Sequence, residues 1–130
     1  MKKILALVLV IAMVAALFVG CANEGNNEET KGAEAANMKV AMVTDYGDIT
    51  DESFNQATYE GAKAWCEENK VDFTYYKPTG DSTAERVAAI DQAIAEGYNV
   101  LLMPGYAFAG AIVETVEANP DVKFVALDVS

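Results

Sequence analysis

The sequence predicts an α/β fold: a parallel four-stranded sheet in the order 2-1-3-4, flanked by helices. Three observations predict it. Four short runs rich in Val, Leu and aromatic residues recur between Lys39 and Leu127, too short for helices and apolar enough for buried strands. Between them lie stretches with apolar residues at three- and four-residue steps, the pattern of a helix with one buried face. Gly, Pro, Asp and Asn punctuate the junctions. Strands alternating with helices in this way call for parallel pairing and right-handed crossovers.

The first strand runs from Lys39 to Asp45 and is broken by Gly47-Asp48. Residues 53–66 form the first helix, with Phe54, Ala57, Gly61, Ala62, Trp65 and Cys66 on its inner face. Trp65 is expected in the core, and Cys66 as a small buried apolar residue. Val71, Phe73 and Tyr75 alternate, so a second strand ends near Pro78. Gly80-Asp81 turns the chain, and Ser82-Thr83-Ala84-Glu85 is a capping box that opens the second helix. Ala84, Val87, Ile90 and Ile94 line its face and Gly97 ends it. Val100 to Met103 is the third strand, stopped by Pro104-Gly105. Phe108 or Ala109, then Ile112, Val113 and Val116, give a third helix that stops at Asn119-Pro120. Phe108 is expected in the core. Val122 to Leu127 is the fourth strand.

The amino-terminal part is of another kind. Met1-Lys2-Lys3 precedes an unbroken apolar run from Ile4 to Val19. A membrane-spanning helix needs roughly 20 apolar residues, so this shorter run after a Lys pair reads as a secretory signal. Leu17-Phe18-Val19-Gly20-Cys21 resembles a bacterial lipobox, with Phe18 where that pattern usually has Leu. The resemblance implies cleavage before Cys21, acylation of that residue and attachment to the extracytoplasmic face of the cell membrane. Ala22 to Asn37 has four acids, one Lys and no large apolar residue, which is the composition of a disordered tether. Its 16 residues would span about 20–25 Å. The expected organisation is a signal peptide over residues 1–20, a tether over 21–37 and an α/β unit over 38–130.

Composition excludes several classes of function. The net charge of −11 over 130 residues argues against nucleic acid, whose phosphates reward a basic face. The absence of His removes His-based catalytic triads and His metal sites. Two cysteines, one of them the implied acylation site, cannot build a four-thiolate zinc centre. No cofactor or metal is expected.

In a sheet of this topology ligands lie beyond the carboxyl ends of the strands, where the winding reverses. That rim holds Thr44-Asp45, Gly105-Tyr106 and Asp128. The loop from Asp45 to Gln56 has neither a dinucleotide fingerprint nor a P-loop, and carries four acids and no base. A neutral, hydroxyl-rich ligand or a cationic one suits it better than a phosphate. Asp45, Asp48 and Asp51 lack the spacing of a calcium loop, and Asp51 is expected to cap the first helix.

Gly47-Asp48-Ile49-Thr50-Asp51-Glu52-Ser53-Phe54-Asn55-Gln56, followed by Tyr59-Glu60-Gly61, resembles the signature of the basic membrane protein (BMP, Med/PnrA-like) family. Thr50 and Glu52 depart from it, standing where many members have Asp and Lys. The family comprises lipoprotein substrate-binding components of ABC transporters, similar to type I periplasmic binding proteins. The resemblance implies two α/β lobes around a cleft, of which residues 38–130 form an incomplete amino-terminal lobe. It also implies nucleosides as ligands, and a permease and ATPase as partners. Carried over by position, it makes Asp45, Phe54, Asn55 and Asp128 ligand contacts. Phe54 can stack on a base, Asn55 can pair with a base edge, and the two aspartates can accept base N–H or ribose hydroxyl groups. Tyr106 stands where it could wall the cleft. A sugar-binding transport protein and a sensory lipoprotein on the same fold are the alternative readings. An enzyme is not expected, because the rim shows no nucleophile or base.

Overall fold

A computed structural model describes residues 37–128. Strand β1 spans Lys39–Val43, helix α1 Phe54–Asn69, β2 Asp72–Tyr76, α2 Thr83–Ala95 and β3 Val100–Pro104. A 3-10 turn at Tyr106–Phe108 leads into α3, Ala109–Thr115, and β4 spans Lys123–Leu127. The sheet has the order β2-β1-β3-β4 and its three pairings are parallel. Fold class and strand order therefore agree with the sequence. The signal segment and Cys21 lie outside the described residues, as does the tether except for Asn37. The Asn37 carbonyl accepts from the Asn99 side chain at 2.8 Å.

Period-two alternation along β1 divides the core between the two faces of the sheet. Ala41 and Val43 pack with Ala89, Ile90 and Ala93 of α2, with Leu101 and Met103 of β3, and with Phe108 and Ala111. On the other face Val40 packs with Cys66 and Val71. Phe108 and Cys66 are buried as expected. Tyr59 of α1 covers the β2 side of that second face, its ring 5.7 Å from Phe73 and 5.4 Å from Tyr75.

Helix α2 begins as the sequence specifies. The Glu85 N–H donates to Ser82 Oγ at 3.3 Å and the Ser82 N–H donates to Glu85 at 3.1 Å. Its end is also as expected: Gly97 takes φ +89°, and the N–H of Tyr98 reaches back to the Ala93 carbonyl.

The helix faces differ from expectation. On α1 the buried residues are Asn55 and Cys66, whereas Phe54, Ala57, Gly61 and Trp65 face solvent. Trp65, expected in the core, is 47% exposed. The helix is rolled by about one residue, because Asn55 is drawn under the preceding loop by hydrogen bonds. On α2 the buried stripe is Arg86, Ala89, Ile90 and Ala93, and Ala84 is exposed. On α3 the small residues Ala111 and Thr115 turn inward, leaving Val113 and Val116 exposed. Strand β4 is largely exposed, with Val125 and Leu127 at its surface, rather than buried on both faces.

Candidate functional site

The winding of the sheet reverses between β1 and β3, and the polar residues that follow these strands meet there. The Gly105 N–H donates to the Leu127 carbonyl at 2.9 Å, which aligns the ends of β3 and β4. Gly105 has φ +110°, and a Cβ there would lie 3.6 Å from Asp45 Oδ2. The ends of β1 and β3 therefore abut at Asp45.

Asp45 is held by three hydrogen bonds. Its Oδ1 accepts from the N–H of Tyr46 at 2.6 Å, from the N–H of Gly47 at 2.7 Å and from Asn55 Nδ2 at 2.8 Å. Partial burial pushes the Asp45 carboxyl up. The Gly47 amide, the Asn55 carboxamide and the Tyr46 amide outweigh that burial and hold it below its ordinary value, against repulsion from Asp51. Asp45 is thus a fixed carboxylate at neutral pH.

Asn55 is 2% exposed. Its second amide proton goes to Asp51 Oδ2 at 2.8 Å, and its Oδ1 accepts from the Asp45 N–H at 3.3 Å. The sequence marks Asn55 as a reader of a base edge, but both of its amide protons are engaged within the loop. Asp51 Oδ1 accepts from the N–H groups of Ser53 and Gln56 at 2.8 and 3.1 Å, so it satisfies a first-turn N–H of α1 from two residues before Ser53, which holds the cap position itself. Desolvation pushes its carboxyl up, but the Asn55 carboxamide and the Gln56 and Ser53 amides outweigh that and hold it below its ordinary value. Gly47 packs closely under the loop: a Cβ there would lie 2.5 Å from Asn55 Nδ2 and would push Asn55 off its carboxylate partners. Asp48 pairs instead with Lys77 at 3.2 Å.

Phe54 is 55% exposed and Tyr106 77% exposed. Asp128 is exposed at the end of β4 in a left-handed conformation, φ +57°. Loop geometry brings Asp45 and Asn55 into contact, whereas Phe54, Tyr106 and Asp128 join the rim through their chain neighbours Asn55, Gly105 and Leu127. Thr44, wholly buried beside Asp45, has a hydroxyl without a hydrogen-bond partner.

Two rim residues escaped the sequence reading. Tyr46 is half exposed next to Asp45; an aromatic beside the rim acid was the available signal. Arg86 is 5% exposed, and its Nε donates to the Asp45 carbonyl at 3.0 Å. Its signal was its rarity, since it is the sole arginine of the chain.

Comparison with known proteins gives concordant results. Residues 38–129 match the family model described as "ABC transporter substrate-binding protein PnrA-like". The chain is 30% identical, over 98% of its length and 36% of the relative's, to a Lactococcus lactis protein named "ABC transporter nucleoside-binding protein BmpA". It is 31% identical, over 98% of its length and 31% of the relative's, to an uncharacterized lipoprotein of Pyrococcus horikoshii. The chain thus spans about a third of the length of these curated relatives. A fragment of a lipoprotein from Peptoclostridium difficile shares the fold with TM-score 0.61 at 17% identity, over 72% of this chain and 75% of that one. An ABC transporter solute-binding protein from Conexibacter woesei does so with TM-score 0.58 at 24% identity, over 67% of this chain and 28% of that one.

Proposed function

The chain belongs to the family of PnrA-like ABC transporter substrate-binding proteins, and on that premise we propose that it captures nucleosides outside the cytoplasmic membrane for delivery to a permease. The observation that carries this reading is the pinned Asp45 carboxylate at the reversal point of the sheet. An acceptor fixed in this way suits base N–H groups or ribose hydroxyls and repels phosphate. The exposed Phe54 ring follows on the same rim and offers a stacking face. Asn55 acts by holding Asp45 in place. Asp128, Tyr106 and Tyr46 supply a further acceptor and aromatic surface. The printed name of the Lactococcus lactis relative supports the ligand class.

Capture breaks no bond, so no catalytic residue, cofactor or metal is assigned. Residues 38–130 form part of one lobe of a two-lobe clamp, and an ABC permease and ATPase are the partners. Residues 1–20 direct export and Cys21 carries the lipid anchor, with residues 21–37 as the tether. Relatives named as lipoproteins support the anchor.

The test is calorimetric titration of the full-length protein with adenosine, guanosine, inosine, cytidine and ribose. Heat with at least one nucleoside and none with ribose is expected. Heat with ribose alone would reject the assignment in favour of a sugar. Phe54→Ala should weaken nucleoside binding by about tenfold, in line with base–aromatic stacking.

A further inference from the structure

The geometry points to Arg86 as the positioning residue of the rim, tying three segments together so that Asp45 keeps its ligand-accepting conformation. The inference rests on reading the rim as a nucleoside site. Arg86 lies in α2, away from the rim in sequence, yet its guanidinium meets all three segments. Its Nε donates to the Asp45 carbonyl at 3.0 Å, after β1. One terminal nitrogen is paired with Asp81, in the turn before α2. Its guanidinium carbon lies 6.0 Å from the centre of the Phe108 ring, in the turn after β3.

The bond to the Asp45 carbonyl matters because of peptide planarity. That carbonyl and the N–H of Tyr46 belong to one planar trans unit and point in opposite directions. Fixing the carbonyl on Arg86 therefore aims the Tyr46 N–H at Asp45 Oδ1, where it donates at 2.6 Å. The carboxylate is held from one side by the loop and its backbone from the other by Arg86. Stability alone does not account for a buried arginine here. Desolvating the charge is costly, its carboxylate partner Asp81 stays exposed, and buried ionic groups are often replaced by well-packed apolar residues without loss of stability. What an apolar side chain lacks is the planar fork. Neither can an ammonium reproduce it, being a compact point charge.

The test compares the wild-type protein with Arg86→Met, Arg86→Lys and Asp81→Asn by amide hydrogen exchange and by titration with inosine. The amides of Tyr46 and Gly47 should exchange about tenfold faster or more in Arg86→Met and Arg86→Lys, while Ala41 and Leu102 in the sheet stay protected. Asp81→Asn, at an exposed partner, should give a smaller effect in the same direction. Inosine affinity should fall by about tenfold in Arg86→Lys, as expected when a preorganised acceptor is loosened. Unchanged Tyr46 and Gly47 exchange in Arg86→Lys would overturn the proposal, and so would equal loss of sheet protection, which would make Arg86 a general prop of the fold. Faster loop exchange with unchanged inosine affinity would also overturn it. If the wild-type protein gives no heat with any nucleoside, the ligand reading fails separately, and the exchange data still decide whether Arg86 positions the loop.

Discussion

Asn55 directs one amide proton to Asp45 and the other to Asp51, and takes the Asp45 N–H on its oxygen. Removing a buried partner of this kind leaves polar groups unsatisfied, so Asn55→Ala should destabilise the chain by about 1–3 kcal/mol at neutral pH. Both carboxyls it bonds sit below their ordinary value of 3.8 in the folded chain. A carboxyl whose folded value is depressed stabilises the fold fully above its ordinary value, and that stability is lost as pH falls through the depressed one. The gap between wild type and Asn55→Ala should therefore narrow in urea unfolding series taken from pH 5 down toward pH 2. A gap constant with pH would mean that Asn55 acts by packing alone. At this scale the sequence was only partly legible. The spacing of Asp45, Asp51 and Asn55 announces a polar cluster, and the bonding of Asp51 to the start of α1 could be read from it. Which groups bond to one another depends on how the loop folds back over the helix, and no local pattern encodes that.

Helices and strands were legible where one force dominated. The capping box at Ser82 and the left-handed Gly97 delimit α2 by local chemistry alone. Ser82→Ala should cost about 1 kcal/mol, read as a lower midpoint in thermal unfolding followed by circular dichroism. Helix rotation was not legible, because in α1 two adjacent stripes compete. One carries Phe54, Ala57, Gly61 and Trp65; the other carries Asn55, Tyr59, Ala62 and Cys66. Periodicity favours the first, which holds the large apolar residues. The hydrogen bonds of Asn55 favour the second, and an orphaned carboxamide under the loop would cost more than a half-exposed ring. The same roll turns Phe54 outward to the rim. In α2 the single buried arginine shifts the inner stripe for a comparable reason: its bond to the Asp45 carbonyl lies on the inner side of the helix.

Across the described residues the molecule is one sheet with unequal edges. Its centre, β1 and β3, is covered on both faces, while β4 exposes Val125 and Leu127. Parallel topology and strand order could be read from the alternation of elements. The unequal covering of β4 could not, because a Val-rich run looks the same whether or not a helix lies over it. Trp65, the chain's only tryptophan, carries an optical consequence of the roll of α1. A half-exposed indole already senses water in the folded state, so its emission colour will change little on unfolding. It also stands three turns from Phe54, about 16 Å along the helix axis, too far to register a base stacking at the rim. A fluorescent signal for ligand needs an indole placed at Phe54 in a chain from which Trp65 has been removed.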